Sequence, residues 1–266
     1  MSEYVHVSRS GGVLEVVIDK PKANAIDIKV SQALGEAFVT LRDDPDLAVG
    51  IITGGGERIF CAGWDLKAVE SGEMSIENWW EDDYGPGGFA GLTELWDLNK
   101  PVIAALNGIT LGGGVEIMLA CDLIIAAEHA EIGLPEMPLG IVPDAGAVQR
   151  LPRRIPYNKA MEMLLLGERM GASEAASYGL INAVVPADQL MPTARAWAQK
   201  LAGVAPLALQ SIKELLRAIE GDTIREAFTT MRTADLPVYR RLLGSDDAQE
   251  GISAFVEKRP ADFKGK

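Results

Sequence analysis

A chain of 266 residues, 48% hydrophobic and 24% charged, has the apolar mass for a substantial core and the balance of an ordinary soluble globular protein. Its net charge of -13 argues against a basic face for nucleic acid, and only two histidines and two cysteines (Cys61, Cys121) argue against His-based triads, His-rich metal sites and a disulfide scaffold. No apolar run approaches the roughly 20 residues of a membrane span, and MSEYVHVSRSGG lacks a basic region followed by an apolar run; a cytoplasmic protein with reduced thiols is expected, with neither membrane nor nucleic-acid partner.

Val5 to Val7 and Val13 to Ile18, joined around Gly11-Gly12, predict a hairpin. Residues 27–42 predict an amphipathic helix with Asp27 as its N-cap. Val49 to Thr53, Val102 to Leu106 and Leu123 to Ala127 are short, apolar and β-rich, as buried parallel strands are. Helical segments alternate with them, so the expected class is α/β. From about residue 188 the pattern becomes helical: 188–202, 206–219, 222–234 and 245–257, punctuated by Pro206, Gly221 and Gly244.

The stretch Asn107-Gly-Ile-Thr-Leu-Gly-Gly-Gly-Val-Glu116, followed by Leu134-Pro135-Glu136, holds the most chemical information. Three glycines stand between an apolar segment and a helix-compatible one. Glycine permits close backbone approach, and the first amides of a helix lack intrahelical acceptors, so such a junction can hold an anionic oxygen. Glu116 falls on the same side of the first turn as Gly113, and Glu136 follows twenty residues later. An oxyanion site with two acids nearby suits acid/base chemistry beside a carbonyl. Taken singly, the glycine run is also a turn sequence, and either glutamate is also a surface or first-turn helix residue.

NGITLGGGVEIMLACDLIIAAEHAEIGLPEMPLGIVPDAGAVQRLP resembles the signature region of the enoyl-CoA hydratase/isomerase (crotonase) superfamily. The resemblance begins at LEVVIDKPKANAID, includes IFCAGWDL and reaches AFVEKRPADFKGK, covering essentially the whole chain. Within the superfamily, KPKANAID, CAGWDLK, YGPGGFAGLTE and GIVPDAGAVQRLP are most similar to the carnitinyl-CoA dehydratases.

The resemblance implies a right-handed spiral of strand–strand–helix turns over residues 1–195, holding the CoA and active sites. It implies a helical trimerisation region over 196–266, in a homotrimer or dimer of trimers. The implied reaction is reversible syn-type hydration and dehydration of a CoA thioester, carnitinyl-CoA to crotonobetainyl-CoA plus water. The alternatives are a general short-chain 2-enoyl-CoA hydratase or a double-bond isomerase. No cofactor or metal is expected beyond the acyl-CoA substrate.

Carried onto this chain, the oxyanion donors are the amides of Gly113 and Trp64, and the catalytic acids are Glu116 and Glu136. The implied CoA contacts are Lys22, Ala23, Ala25, Ala62, Asp65 and Leu66, with Phe255 and Lys258 reaching CoA on a neighbouring subunit. Asp144 stands where many simple hydratases have glycine; it reads either as a helix N-cap or as a third carboxylate near the acyl group. The insertion from Glu70 to Trp96 offers Trp79, Trp80 and Tyr84 as acyl-pocket candidates, suited to a trimethylammonium group, or as aromatics that simply pack in a lid or subunit contact.

Overall fold

The computed structural model of the protein describes residues 2–266. Strands β1 (Val5–Ser10) and β2 (Val13–Ile18) form the expected antiparallel hairpin, running from Val5↔Ile18 to Ser10↔Val13 across the Gly11-Gly12 turn. Helix α1 (Ile28–Asp43) starts at Asp27, whose carboxylate accepts the Val30 amide at 2.8 Å. Its inner face, Val30, Ala33, Leu34, Ala37, Phe38 and Leu41, repeats at the helical spacing and is buried.

The chain then alternates between two sheets. Strand β3 (Val49–Gly54) enters the first sheet, and β4 (Ile59–Cys61) with α2 (Leu66–Glu70) the second layer. β5 (Val102–Leu106), β6 (Ile109–Leu111) and α3 (Gly113–Ala120) repeat the unit. β7 (Leu123–Ala127) and β8 (Glu131–Gly133) start it again, leading to α4 (Ala147–Arg154) and α5 (Tyr157–Leu166). β9 (Met170–Gly171), α6 (Ala172–Ser177) and β10 (Ala183–Val185) close the spiral. The large sheet has the order β1-β2-β3-β5-β7-β10 and the small one β4-β6-β8-β9. All pairings are parallel except β1–β2 and β8–β9.

The continuous hydrophobicity of β3, β5 and β7 follows from burial on both faces. Ile52, Ala104, Leu106, Ile124 and Ala126 point into the spiral interior with Phe38 and Phe60. Their neighbours Ile51, Ile103, Ala105, Ile125 and Ala127 point the other way, against Leu190, Ala194 and Ala198 of α7 (Leu190–Ala202). The boundary expected at residue 195 thus falls inside α7, a helix that covers the large sheet.

Four helices follow: α8 (Pro206–Ala218), α9 (Ile224–Thr233), α10 (Pro237–Leu243) and α11 (Asp246–Glu257). Of these, α10 is the one without a counterpart in the sequence reading; buried Glu214 fixes it by accepting the Val238 and Tyr239 amides of its first turn. Buried Asp247 pins the C-terminal tail through the Lys264 and Gly265 amides. Apolar side chains on this region, among them Leu216, Ile224, Phe228, Ile252, Phe255 and Val256, stay exposed on the single chain.

Candidate active site

The site forms where the two layers meet. β6 ends at Leu111, and Gly112 turns the backbone sharply (φ 53°) into α3. A Cβ at Gly112 would lie 2.7 Å from Glu136 Oε1, which measures how closely that carboxylate rests on the backbone. A Cβ at Gly63 would lie 2.6 Å from the Gly113 nitrogen. The Ala62-Gly63-Trp64 segment therefore runs directly beside the start of α3.

Pairing of Ile26 with the 63–65 segment fixes the other edge: Ile26 N–H donates to Gly63 O at 2.8 Å, and Asp65 N–H to Ile26 O at 2.9 Å. Both bonds leave the intervening Trp64 amide free. Among the described residues, neither the Trp64 amide nor the Gly113 amide has an acceptor within the chain. Unpaired amides at a helix start are the donors that an anionic oxygen would use.

Glu116 projects from the first turn of α3 and is 4% exposed; Glu136, in the turn after β8, is 7% exposed. Glu116 Oε1 accepts the Ala147 amide at 3.1 Å, at the N-terminus of α4. Burial pushes the Glu116 carboxyl up to about 8 against that hydrogen bond, and the negative charges of Glu136 and Asp144 push in the same direction. Burial likewise pushes Glu136 up to about 7, and its Oε2 is buried without a hydrogen-bond partner. Two acids poised near neutrality can each hold or release a proton under ordinary conditions.

Both glutamates line a cavity of about 350 Å³, together with Ala62, Trp64, Leu66, Gly113, Trp79, Trp80 and Asp144. Residues as far apart in the chain as Ala62 and Ala145 are thus brought together around one space. The sequence reading did not include Ile76, Asn78, Phe89, Leu139, Ile141 or Val142, which supply most of the remaining wall. They carry no distinctive chemistry and reach the cavity only because the Glu70–Trp96 insertion and the loop before α4 fold over it.

Tyr84 needs correcting as an acyl-pocket residue. It is 3% exposed and stands behind the wall, edge-on to Trp79 at 5.8 Å and to Phe89 at 6.0 Å. Burial pushes its hydroxyl up to about 12, with the neighbouring Trp64 indole opposing. The N-cap alternative for Asp144 is also excluded: Gly146 occupies that position of α4, and Asp144 Oδ2 instead accepts the Trp79 indole N–H at 3.1 Å.

The residues expected at CoA divide. Ala62 and Leu66 line the cavity; Lys22, Ala23, Ala25 and Asp65 do not. Lys22 is exposed on a loop held next to the site by the Ala62 amide donating to Ala23 O at 3.0 Å. Asp65 caps α2 through the Lys67 amide and shares Lys20 with Asp27, at 2.7 and 2.5 Å. Burial opposes the Lys20 charge, but the two carboxylates outweigh it and hold Lys20 above its usual range. Lys20 thus ties the N-cap of α1 to the residue after Trp64. Its replacement in Lys20→Met is expected to cost roughly 1–3 kcal/mol in urea unfolding, because two half-buried carboxylates lose their cation; an unchanged midpoint would contradict that role. Phe255 (84% exposed) and Lys258 lie at the C-terminal end of α11, outside the cavity of their own chain.

Among the described residues no group of three or more His, Cys, Asp or Glu side chains is arranged to hold a metal ion, and no helix is long and apolar enough to cross a membrane.

Known proteins resemble this chain over its whole length. The family model for enoyl-CoA hydratase/isomerase matches residues 8–266. Carnitinyl-CoA dehydratase of Proteus mirabilis (strain HI4320) is 53% identical over 266 residues, 100% of both chains, and that of Salmonella typhi is 52% identical over the same span and shares. The solved structure of an enoyl-CoA hydratase from Mycobacterium tuberculosis H37Rv superposes with a TM-score of 0.88 at 36% identity, covering 100% of each chain. One from Bacillus anthracis gives 0.88 at 34% identity, covering 99% of this chain and 100% of the other. The full-length family match, the shared spiral fold and the relatives above 50% identity show that this chain belongs to the enoyl-CoA hydratase/isomerase, or crotonase, family.

Proposed function

We propose that this protein catalyses the reversible dehydration of carnitinyl-CoA to crotonobetainyl-CoA and water. The observation that carries the reading is one cavity lined by Glu116, Glu136, Trp64 and Gly113, the last two with amides that have no acceptor among the described residues. Its acyl specificity is supported by full-length identity above 50% to proteins named carnitinyl-CoA dehydratase.

In the hydration direction, ionised Glu116 takes a proton from water as the water oxygen bonds to the β-carbon of the enoyl thioester. The electrons of the double bond move onto the thioester oxygen, where negative charge develops. The Trp64 and Gly113 amides donate to that oxygen, each lowering the barrier by about 3 kcal/mol. Protonated Glu136 then gives its proton to the α-carbon, and the thioester carbonyl reforms. Dehydration runs these steps backward with the glutamates exchanging roles. The Ala147 amide donates to one Glu116 oxygen, which helps the ionised form against burial, and leaves the second oxygen for water.

The CoA moiety extends out past Ala62 and Leu66, with Lys22 placed to meet its phosphates as a compact cation. Self-assembly through the exposed apolar faces of the C-terminal helices, as a trimer or dimer of trimers, would bring Phe255 and Lys258 to a neighbour's CoA.

Purified protein supplied separately with crotonobetainyl-CoA and crotonyl-CoA tests the reading by loss of enoyl absorbance. Turnover of the quaternary substrate is expected, with water as the only co-reactant. Turnover of crotonyl-CoA alone would make the protein a general short-chain 2-enoyl-CoA hydratase; the structural neighbours are named simply as enoyl-CoA hydratases. Silence on both would remove the hydratase reading.

A further inference from the structure

The cavity wall carries three ionisable side chains, Glu116, Glu136 and Asp144, and no lysine, arginine or histidine. Proton transfer uses the two glutamates and leaves Asp144 without a task. Asp144 forms no ion pair among the described residues; its side chain instead accepts the Trp79 indole N–H at 3.1 Å. That bond fixes the carboxylate and the indole ring with respect to each other. Trp80 stands edge-on to Trp79, with ring centroids 6.1 Å apart and planes at 79°, and is 61% exposed at the cavity rim. On the same wall, Glu136 Oε2 is buried without a partner.

A neutral acyl tail entering this space would strip water from Asp144 and offer nothing in return. A cationic tail would replace the lost hydration with opposite charge. A quaternary ammonium has no N–H to donate, so recognition must come from charge and aromatic faces, which is what Asp144, Trp79 and Trp80 supply. We propose that Asp144, braced by Trp79, is the receptor for a quaternary ammonium group on the acyl tail and discriminates against neutral tails of the same shape. The proposal rests on the hydratase reading above and adds the residue that sets its specificity.

The test compares crotonobetainyl-CoA with its neutral carbon isostere, 5,5-dimethylhex-2-enoyl-CoA, in which a tert-butyl group replaces the trimethylammonium. Wild-type kcat/KM is expected to favour the cation by roughly 30-fold. Asp144→Asn should bring that ratio to within about 3-fold of unity, whereas Asp144→Glu, which keeps the charge, should retain more of it. A wild-type ratio near one would overturn the charge receptor while leaving the hydratase reading intact. An undiminished ratio in Asp144→Asn would overturn the assignment to Asp144. Wild-type inactivity on both substrates would instead sink the underlying reaction. Should Asp144→Asn fail to fold, wild-type dissociation constants decide the matter: the non-reactive 4-(trimethylammonio)butanoyl-CoA must bind more tightly than 5,5-dimethylhexanoyl-CoA, with a preference that shrinks as salt is raised. Equal affinities would reject the proposal.

Discussion

Glu116→Gln and Glu136→Gln are each expected to lower kcat by roughly 100-fold or more, while the protein keeps its fold and its affinity for the CoA thioester. The amide is nearly isosteric with the carboxyl group but cannot shuttle a proton. In the wild type, one glutamate must be ionised and the other protonated. Burial places both near neutrality, so kcat/KM should follow a bell with limbs between about pH 6 and 9 that belong to the pair rather than to either residue. Each variant should lose one limb. Activity within a few-fold of wild type in either variant would end its acid/base role.

The same replacement should change stability in the opposite sense. Folding raises the Glu116 carboxyl from its ordinary 4.5 to about 8, so the folded state binds the proton more tightly than the unfolded chain. Relative stability is therefore greatest below about 4.5, falls as pH climbs toward about 8, and levels off above it. Glutamine is neutral throughout and escapes this loss, while its carbonyl can still accept the Ala147 amide. At pH 9 Glu116→Gln should gain on the order of 2–4 kcal/mol over wild type, and at pH 4 almost nothing. Thermal unfolding at the two pH values measures the difference; a gap independent of pH would show that the charge at Glu116 is not buried in the folded state.

The second large effect is expected at Gly63. Its φ of +88° is one that side chains rarely adopt, and an added methyl would sit 2.6 Å from the Gly113 nitrogen and 2.9 Å from Leu111 O. Backbone rather than a flexible side chain stands in the way, so the two segments would have to part. Gly63→Ala should cost roughly 2–4 kcal/mol of stability and lower kcat by about 100-fold, since the Trp64 and Gly113 amides would no longer converge on one oxygen. Gly72 is the control: its φ is +79°, but nothing lies within 4 Å of an added Cβ. Gly72→Ala should cost about 1 kcal/mol and leave kcat unchanged. Equal kcat values for the two variants would separate catalysis from the spacing of these amides.

Much of the fold is legible locally because its signals are local. Asp27 caps the helix assigned to it, and β5 and β7 begin and end where their apolar runs do. The strands of the second layer are short: β4, β6 and β8 have 3 residues each and β9 has 2, too few to show a period. Helix α10 was hidden as well. It has only 7 residues, so Pro237 at its first position is a local signal without a period behind it, and its first amides are held by Glu214, 24 and 25 residues away.

For the site, residue identity at fixed spacing was enough to single out Glu116, Glu136 and the Gly112–Gly114 run as candidates, because proton transfer and close backbone approach demand particular residue types, while the choice of Gly113 within the run came from the family resemblance. Trp64 entered through a family resemblance alone; as an amide donor it leaves no trace in side-chain chemistry. Asp144 and Tyr84 show what only tertiary structure decides. The sequence offered Asp144 as cap or carboxylate and Tyr84 as a pocket aromatic. Packing of the insertion turned Trp79 onto Asp144 and placed Tyr84 behind it. Sequence by itself thus pointed to β1, β2, β3, β5 and β7, the capped helix and the two acids as candidates, whose signals depend on near neighbours. The cavity wall, the raised carboxyl acidities and the Lys20 bridge depend on burial and on contacts between distant segments, which exist only once the layers have closed.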